Sequence, residues 1–242
     1  MPYVETTCDF EELFYLLFAC RSVCLDPMNH HSGRIVFCIF GCPEGAAFNR
    51  RLHDAVVYCA AHGYTPTVNW KELTDCGSPF QASLGSSRKK PVPFQGRIPY
   101  DYLLWLEPDL IFRPSQILDL ISRKEAIVGG ANILPDGEHI AAIKKFRPID
   151  LIRGTSCFMS VAEVEKAGEN LTEVEYAGFG FLLIAKGVFE SLELPWFEAQ
   201  PNSGILSLTS AEVGFCRKAR KAGHKIYVDP TVQVRKERKA VY

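Results

Sequence analysis

Two carboxylates flank a proline at residues 107–109, directly after an apolar run. The stretch reads DYLLWLEPDLIF, so Glu107 and Asp109 follow one apolar segment and precede another. A carboxylate beside a buried strand is costly unless a cation or a hydrogen-bond donor compensates it. Carboxylate oxygens are hard ligands for Mg²⁺ or Mn²⁺, and such a cation can neutralise a diphosphate. Pro108 lacks an N–H and restricts Glu107 to extended geometry, so a solvated turn is the competing interpretation.

The elements that must position these carboxylates are strands and helices. The first half of the chain alternates the two and predicts strands at 34–40, 65–70, 102–106 and 126–130 and helices at 8–24, 46–62 and 114–123. The second half mixes them and predicts strand-like segments at 139–144, 157–161, 179–185 and 225–228 and helices at 186–191 and 212–223. A long Ser-, Gly- and Pro-rich loop is expected over 75–99.

This pattern predicts an α/β fold. We expect one mostly parallel central sheet with an antiparallel portion and helices on both faces. In such sheets ligands bind beyond the carboxyl ends of the strands, and Glu107 and Asp109 follow the predicted strand 102–106 at such an end. Gly129 and Gly130 would let another backbone approach closely.

Composition is that of an ordinary globular protein. The chain has 242 residues, 47% of them hydrophobic and 23% charged, with a net charge of −1. We expect one domain over 34–242, a helical extension over 1–33, no attraction to nucleic acid and no membrane span. Nine cysteines, an odd number without C-x2-C spacing, and no basic leader predict a soluble protein of a reducing, cytoplasmic compartment. The oligomeric state is not indicated.

Four further motifs follow the acidic triplet in order. They are EYAGFGF at 175–181, PWF at 195–197, SAEVGFCR at 210–217 and YVDP at 227–230. As a set, the motifs resemble the GT-A-fold glycosyltransferases, over roughly residues 34–238. The resemblance is greatest to small glycosyltransferase domains of large algal DNA viruses and of related phage and bacterial proteins. It implies a GT-A-like domain in glycan biosynthesis that moves a sugar from a uridine diphosphate donor to a carbohydrate acceptor, with inversion.

The resemblance also implies roles for individual residues. Glu212 would be the catalytic base that takes a proton from the acceptor. The residues that would bind the donor or its diphosphate are Phe40, Gly41, Arg88, Leu106, Glu107, Asp109, Gly178, Gly180, Arg235 and Lys236. Because Glu212 begins a predicted helix, the helix dipole predicts a low pKa for its carboxyl group.

The acidic and metal-linked motifs depart from the family. Glu107 replaces the first aspartate of Asp-x-Asp, and Ala211-Glu212 replaces Glu-Asp. Lys236 aligns with a late histidine that often binds the metal, and Arg235 aligns with the glycine before it. Asp109 and Glu107 would hold Mn²⁺ or Mg²⁺ if a metal is used, but an ammonium at Lys236 predicts weak or no metal dependence.

Other functions stay open on the sequence. An inactive nucleotide- or carbohydrate-binding module or scaffold is the main alternative, because every acidic motif has changed while the others are nearly intact. A nucleotidyltransferase has the same broad architecture, but the Gly-Phe-Gly and Phe-Cys-Arg motifs disfavour it. The absence of Gly-x-Ser-x-Gly, of a P-loop and of Gly-x-Gly-x-x-Gly after the first strand argues against a serine hydrolase or a dinucleotide enzyme.

Overall fold

A computed structural model describes residues 33–40, 46–71, 99–146, 158–197 and 211–237. The helix predicted over 8–24 and nearly all of the loop predicted over 75–99 lie outside these ranges. Gly41 and Arg88 lie outside them as well, and of Phe40 only the backbone is described.

The described residues form ten strands and four α-helices. The strands are β1 (Arg34–Phe40), β2 (Thr65–Lys71), β3 (Tyr102–Leu106), β4 (Leu110–Ile111), β5 (Ile127–Ile133), β6 (Ala142–Ile143), β7 (Thr172–Val174), β8 (Tyr176–Ala177), β9 (Phe181–Ala185) and β10 (Ile226–Lys236). The helices are α1 (Ala46–Ala61), α2 (Ser115–Ser122), α3 (Val161–Ala167) and α4 (Ala211–Lys221), with a 3₁₀ turn at Phe189–Ser191.

The main sheet has the order β2-β1-β3-β9-β5-β10-β4, and β7 also pairs with β10. Strands β2, β1 and β3 are parallel to one another, and β5 is parallel to β10. Strand β9 lies between β3 and β5 and is antiparallel to both, so β3 and β5 run the same way. Strands β4 and β7 are antiparallel to β10. The predicted α/β fold with a mostly parallel sheet and an antiparallel portion is therefore confirmed.

Helices cover both faces of this sheet. Side chains of a strand alternate between faces, and β1 sends Phe37 into one core and Cys38 into the other. The first core contains residues of α1 and α2, such as Phe48 and Ile117. The second contains residues of α3 and α4, such as Phe215. Two layers of helices therefore hold the strand ends in fixed positions.

The glycine pair of β5 serves a close approach within the fold. A Cβ on Gly130 would lie 2.8 Å from the carbonyl oxygen of Val232. At this point the pairing of β10 with β5 shifts register between Asp229 and Gln233. Gly130 therefore accommodates the bulge that lets β10 continue past Pro230.

Two sequence predictions were only partly correct. The segment predicted as strand-like over 157–161 is extended where it is described, since Met159 exchanges backbone hydrogen bonds with Ile140 and Ala142 and Ser160 bridges His139, but Val161 already begins α3. Ser160 caps that helix in a capping box with Glu163, and this reciprocal pair satisfies two of the first free N–H groups. The strand predicted to end at Val228 runs on to Lys236, because the bulge removes the conflict between Pro230 and sheet pairing.

Three described cysteines, Cys38, Cys59 and Cys216, are buried free thiols. Burial raises the pKa of each thiol to about 12, which leaves them protonated. None of the described helices combines the length and the apolar character that a membrane span requires.

Candidate active site

A lysine links the two carboxylates of the acidic triplet. Lys236 Nζ lies 2.9 Å from Glu107 Oε2 and 3.5 Å from Asp109 Oδ2. The pairing of Lys236 with Leu110 brings the end of β10 alongside the turn, and the N–H of Glu237 donates to the Asp109 carbonyl at 2.6 Å. The structure thus brings together three of the residues that the sequence predicted for the site.

The turn after β3 is held from two sides. The N–H of Glu107 donates to the carbonyl of Gly180 at 3.0 Å, and the N–H of Leu110 donates to the carbonyl of Glu107 at 3.3 Å. Because β9 is antiparallel to β3, its first residues meet the carboxyl end of β3. Glu107 and Asp109 therefore lie on a backbone that sheet pairing fixes.

Gly180 is required by the packing at this edge. A Cβ on Gly180 would overlap Asn132 Nδ2 and would lie 3.1 Å from Glu107 Oε2. Asn132 is only 6% exposed, and its Oδ1 accepts no hydrogen bond from the described residues. Sequence reasoning missed Asn132. The clue was a polar residue within IVGGANI, an otherwise apolar strand.

Glu212 lies in the first turn of α4, and the Tyr176 hydroxyl donates to its Oε2 at 2.7 Å. Tyr176 belongs to β8, which pairs with β6. A Cβ on Gly178 would lie 3.0 Å from the Cβ of Ala141 and 3.6 Å from the Tyr176 hydroxyl. Gly178 therefore permits the close packing beside Tyr176. Sequence reasoning also missed Tyr176, although it lies in the quoted EYAGFGF motif.

The prediction of a low pKa for Glu212 was wrong. Burial raises the pKa of Glu212 to about 7. The Tyr176 hydrogen bond lowers this pKa, the charge of Glu107 raises it and the charge of Lys236 lowers it. The loss of hydration outweighs the Tyr176 hydrogen bond and the charge of Lys236. The charges of Glu107 and Lys236 both act on the Glu212 carboxyl group, so Glu212 lies within electrostatic range of the lysine–carboxylate cluster.

Lys236 keeps its charge. Burial lowers the pKa of Lys236, but the carboxylates of Glu107 and Asp109 outweigh that effect and raise the pKa above its ordinary value. Lys236 is therefore an ammonium ion throughout the neutral pH range.

A divalent cation between these carboxylates would have to displace the ammonium of Lys236. The oxygens of Glu107 and Asp109 that would bind Mg²⁺ or Mn²⁺ already contact Lys236 Nζ, and like charges this close repel strongly. Within the ranges that the structure describes, no three His, Cys, Asp or Glu residues are grouped so that they could hold a metal.

The other described residues that were predicted to bind the sugar donor do not join the lysine–carboxylate cluster. Leu106 is 2% exposed and contributes its side chain to a core. The backbone of Phe40 ends β1 at the same sheet edge, since Ile39 pairs with Leu106. Arg235 precedes Lys236 on β10, so its side chain leaves the opposite face of the strand. The structure therefore does not bring Arg235 into the lysine–carboxylate cluster.

Among known proteins, only solved structures gave matches to this chain. No protein-family model matches the chain, and no curated protein matches it. Among matching solved structures is that of GalNAc-T7 with UDP, GalNAc and Mn²⁺, which is 12% identical with a TM-score of 0.49. The match covers 84% of this chain and 43% of that chain, so this chain spans less than half of it. Similarity of this degree carries no conclusion about activity, and the resemblance to viral, phage and bacterial domains stays a prediction.

Proposed function

We propose that this chain is a GT-A-like glycosyltransferase that moves a sugar from a UDP donor to a hydroxyl group of a carbohydrate acceptor. One observation carries the proposal. A carboxylate with a pKa near 7, Glu212, interacts electrostatically with an ammonium–carboxylate cluster at the carboxyl edge of a parallel sheet. That edge is where α/β sheets bind ligands.

Glu212 serves as the base in this proposal. A base works best when its pKa lies near the working pH, because it is then partly ionised and still accepts a proton well. The acceptor oxygen attacks the anomeric carbon while its proton passes to the Glu212 carboxylate. The bond between that carbon and the diphosphate oxygen breaks, and its electron pair leaves with UDP. One such displacement inverts the anomeric carbon.

Lys236 serves the leaving group. A fixed positive charge beside a departing diphosphate stabilises the charge that develops in the transition state. Lys236 is ionised and one-third exposed, so it can exchange its contact with Glu107 or Asp109 for one with a phosphate oxygen. Glu107 and Asp109 hold the ammonium in place before the donor arrives.

Metal dependence is weak or absent in this proposal. The ammonium takes the position between the two carboxylates where a cation would bridge them. UDP binding should therefore survive removal of divalent cations.

The second candidate is a nucleotide- or carbohydrate-binding module without activity. The observation that favours it is that Lys236 already contacts both carboxylates, so the cluster is partly neutralised without any ligand. The two candidates differ in turnover, because a nucleotide-binding module would also bind UDP but would not release it from a UDP-sugar.

UDP binding is measured by calorimetry in EDTA and again with Mn²⁺. We expect binding in EDTA that Lys236→Gln weakens at least tenfold, because the diphosphate loses its ammonium partner. Lys225→Gln is the matched control, since Lys225 is exposed and pairs only with Glu173 among the described carboxylates. UDP binding that requires Mn²⁺ and is unchanged in Lys236→Gln would remove this residue from the diphosphate site.

Turnover is measured as UDP release from UDP-glucose, UDP-galactose, UDP-GlcNAc and UDP-GalNAc. Loss of the base in Glu212→Gln should lower release by about 10²-fold or more for whichever donor is used. Release that is unaffected in this variant would refute the assignment of the base. Tight UDP binding with no release from any of these donors would favour the binding module.

A further inference from the structure

A groove of about 400 Å³ lies beside β10, and its lining does not include Glu107, Asp109 or Lys236. We call it the arginine groove. The residues that line it include two arginines, a glutamine and three apolar residues, namely Arg113, Arg235, Gln116, Ile111, Phe112 and Ile133. Loss of water from such a mixed, concave surface is how small-molecule sites gain affinity.

The groove and the candidate active site use opposite faces of β10. Arg235 pairs with Ile111 on one side and with Ile133 on the other, and all three residues line the groove. Lys236, the next residue, contacts Glu107 and Asp109. Because successive side chains of a strand point in opposite directions, a ligand of Arg235 does not compete with a ligand of Lys236.

A buried glutamine fixes the wall of the groove. Gln116 is 2% exposed, its Oε1 accepts a hydrogen bond from the N–H of Arg113 at 2.7 Å, and its Nε2 donates to the carbonyl of Gln233 at 2.9 Å. These two bonds tie the segment before α2 to β10, so the backbones that carry Arg113 and Arg235 are held at a set separation. The site is therefore organised before any ligand arrives.

The charge of the groove is uncompensated within the described part of the chain. Neither Arg113 nor Arg235 forms an ion pair there. Nearby acidic groups have other partners: Asp229 pairs with Arg123, Glu237 with Arg51, and Asp109 with Lys236. Two guanidinium groups at one groove without a carboxylate create a positive potential that attracts anions.

We propose that the arginine groove binds an organic phosphate. A guanidinium group grips phosphate oxygens with two parallel N–H donors, and two such groups can hold one dianionic phosphate. The groove exceeds what a bare phosphate fills, since volumes of about 300 to 1,000 Å³ are typical of sites for whole small molecules. The apolar side chains of Ile111, Phe112 and Ile133 give the organic part of the ligand a surface to pack on.

This site is independent of the proposed sugar transfer. The test measures calorimetric binding of inorganic phosphate, glucose 6-phosphate and AMP to the full chain in EDTA at 0.15 M salt, with AMP chosen because UMP would also enter the proposed UDP site. We expect one of the two organic phosphates to bind more tightly than inorganic phosphate. The better of the two identifies a sugar phosphate or a nucleotide as the source of the phosphate group.

Arg113→Gln and Arg235→Gln should each weaken binding of the better ligand about tenfold or more, because each removes a charged fork of donors. Arg235→Lys keeps the charge and should lose less affinity than Arg235→Gln, which a folding defect would not produce. Arg50→Gln is the matched control, since Arg50 is exposed on α1 outside the groove, and it should bind like the parent. Lys236→Gln should also leave this binding unchanged.

Three results would overturn the proposal. The first is that neither organic phosphate binds at millimolar concentration. The second is that the Arg113, Arg235 and Arg50 variants lose affinity equally, which indicates diffuse attraction to positive charge. The third is that Lys236→Gln alone abolishes binding, which moves the phosphate to the other face of β10.

Discussion

Strand β10 carries two carboxylate–cation clusters that differ in how completely they are closed. In the first, the carboxylate of Asp229 is 0% exposed and accepts bonds from Arg123 Nε at 2.6 Å and Nη2 at 3.1 Å. It also accepts bonds from the N–H and hydroxyl of Thr231. In the second, the side chains of Lys236, Glu107 and Asp109 are 34%, 37% and 39% exposed.

This difference in exposure indicates that the Asp229 cluster stabilises the fold, whereas the Lys236 cluster can exchange a partner for a ligand. Both oxygens of Asp229 are used, so no ligand can enter without breaking the bulge that this residue holds. The Lys236 cluster keeps contact with solvent, and Asn132 Oδ1 beside it accepts no bond from the described residues. A cluster whose partners can be exchanged at low cost suits binding, whereas a closed cluster suits stability.

Asp229→Asn gives the largest expected effect on the free energy of unfolding. The amide would put its own N–H groups against the donors of Arg123 and Thr231 at a fully buried position, and the donors left unpaired there cost about 4 kcal/mol together. Asp109→Asn at the open cluster should cost about 1 kcal/mol or less. Urea denaturation measures both, and equal losses would erase the distinction between the clusters.

Glu212→Gln should change how stability depends on pH. The pKa of Glu212 is about 7 in the folded chain, against an ordinary value of 4.5, so the folded state keeps a proton that the unfolded state releases. This contribution to stability is complete below pH 4.5 and is lost as pH rises through 7. The parent should therefore lose about 3 kcal/mol across this window relative to Glu212→Gln. Urea denaturation at several pH values tests this, and parallel curves for the two proteins would contradict it.

Gly180→Ala tests how tightly the edge beside the open cluster is packed. The new methyl group would overlap Asn132 Nδ2 and crowd Glu107, which should cost about 2 kcal/mol. The double variant with Asn132→Ala should be less destabilised than the sum of the two single changes, because the obstacle is gone. Additive losses in thermal or urea unfolding would show that Asn132 is not the group that Gly180 accommodates.

Tyr176→Phe gives the smallest expected effect. The tyrosine hydroxyl stabilises the ionised form of Glu212, so its removal should raise the pKa of Glu212. If Glu212 is the base, UDP release should fall about tenfold at pH 6 and recover at pH 9. The pH midpoint of the stability difference from Glu212→Gln should shift upward as well. A uniform loss of activity at every pH would indicate a role in folding only.

Most of the architecture could be predicted from the sequence, because long apolar runs form its central strands. The continuous run in β1 and the apolar run in β3 require burial on both faces, which only a covered parallel sheet provides. Helix α3 was missed although Ser160-Val161-Ala162-Glu163 spells a capping box, because the β-branched residues nearby favoured a strand. Strand β4 has only two residues, and its pairing with β10 depends on contacts distant in sequence.

The sequence predicted several residues of the candidate active site but not the pKa values of their side chains. Glu107, Asp109 and Lys236 were named together, and the chain brings them together. The bond between Tyr176 and Glu212 could not be predicted, since no local pattern brings β8 to α4. The pKa of Glu212 depends on three-dimensional burial, which reversed an expectation drawn from the helix dipole alone.

The insertion of β9 between β3 and β5 also determines the order in which the chain can assemble. Strands β3 and β5 both precede β9 in the sequence, so each has an unpaired edge until β9 is made. Pulse-labelling hydrogen exchange during refolding should show the β1–β2 pair protected before β3 and β5. Non-local pairing of this kind slows folding and leaves strand edges open to wrong partners. On the ribosome, the centre of this sheet would be among the last parts to close, and the nascent chain would need its longest protection there.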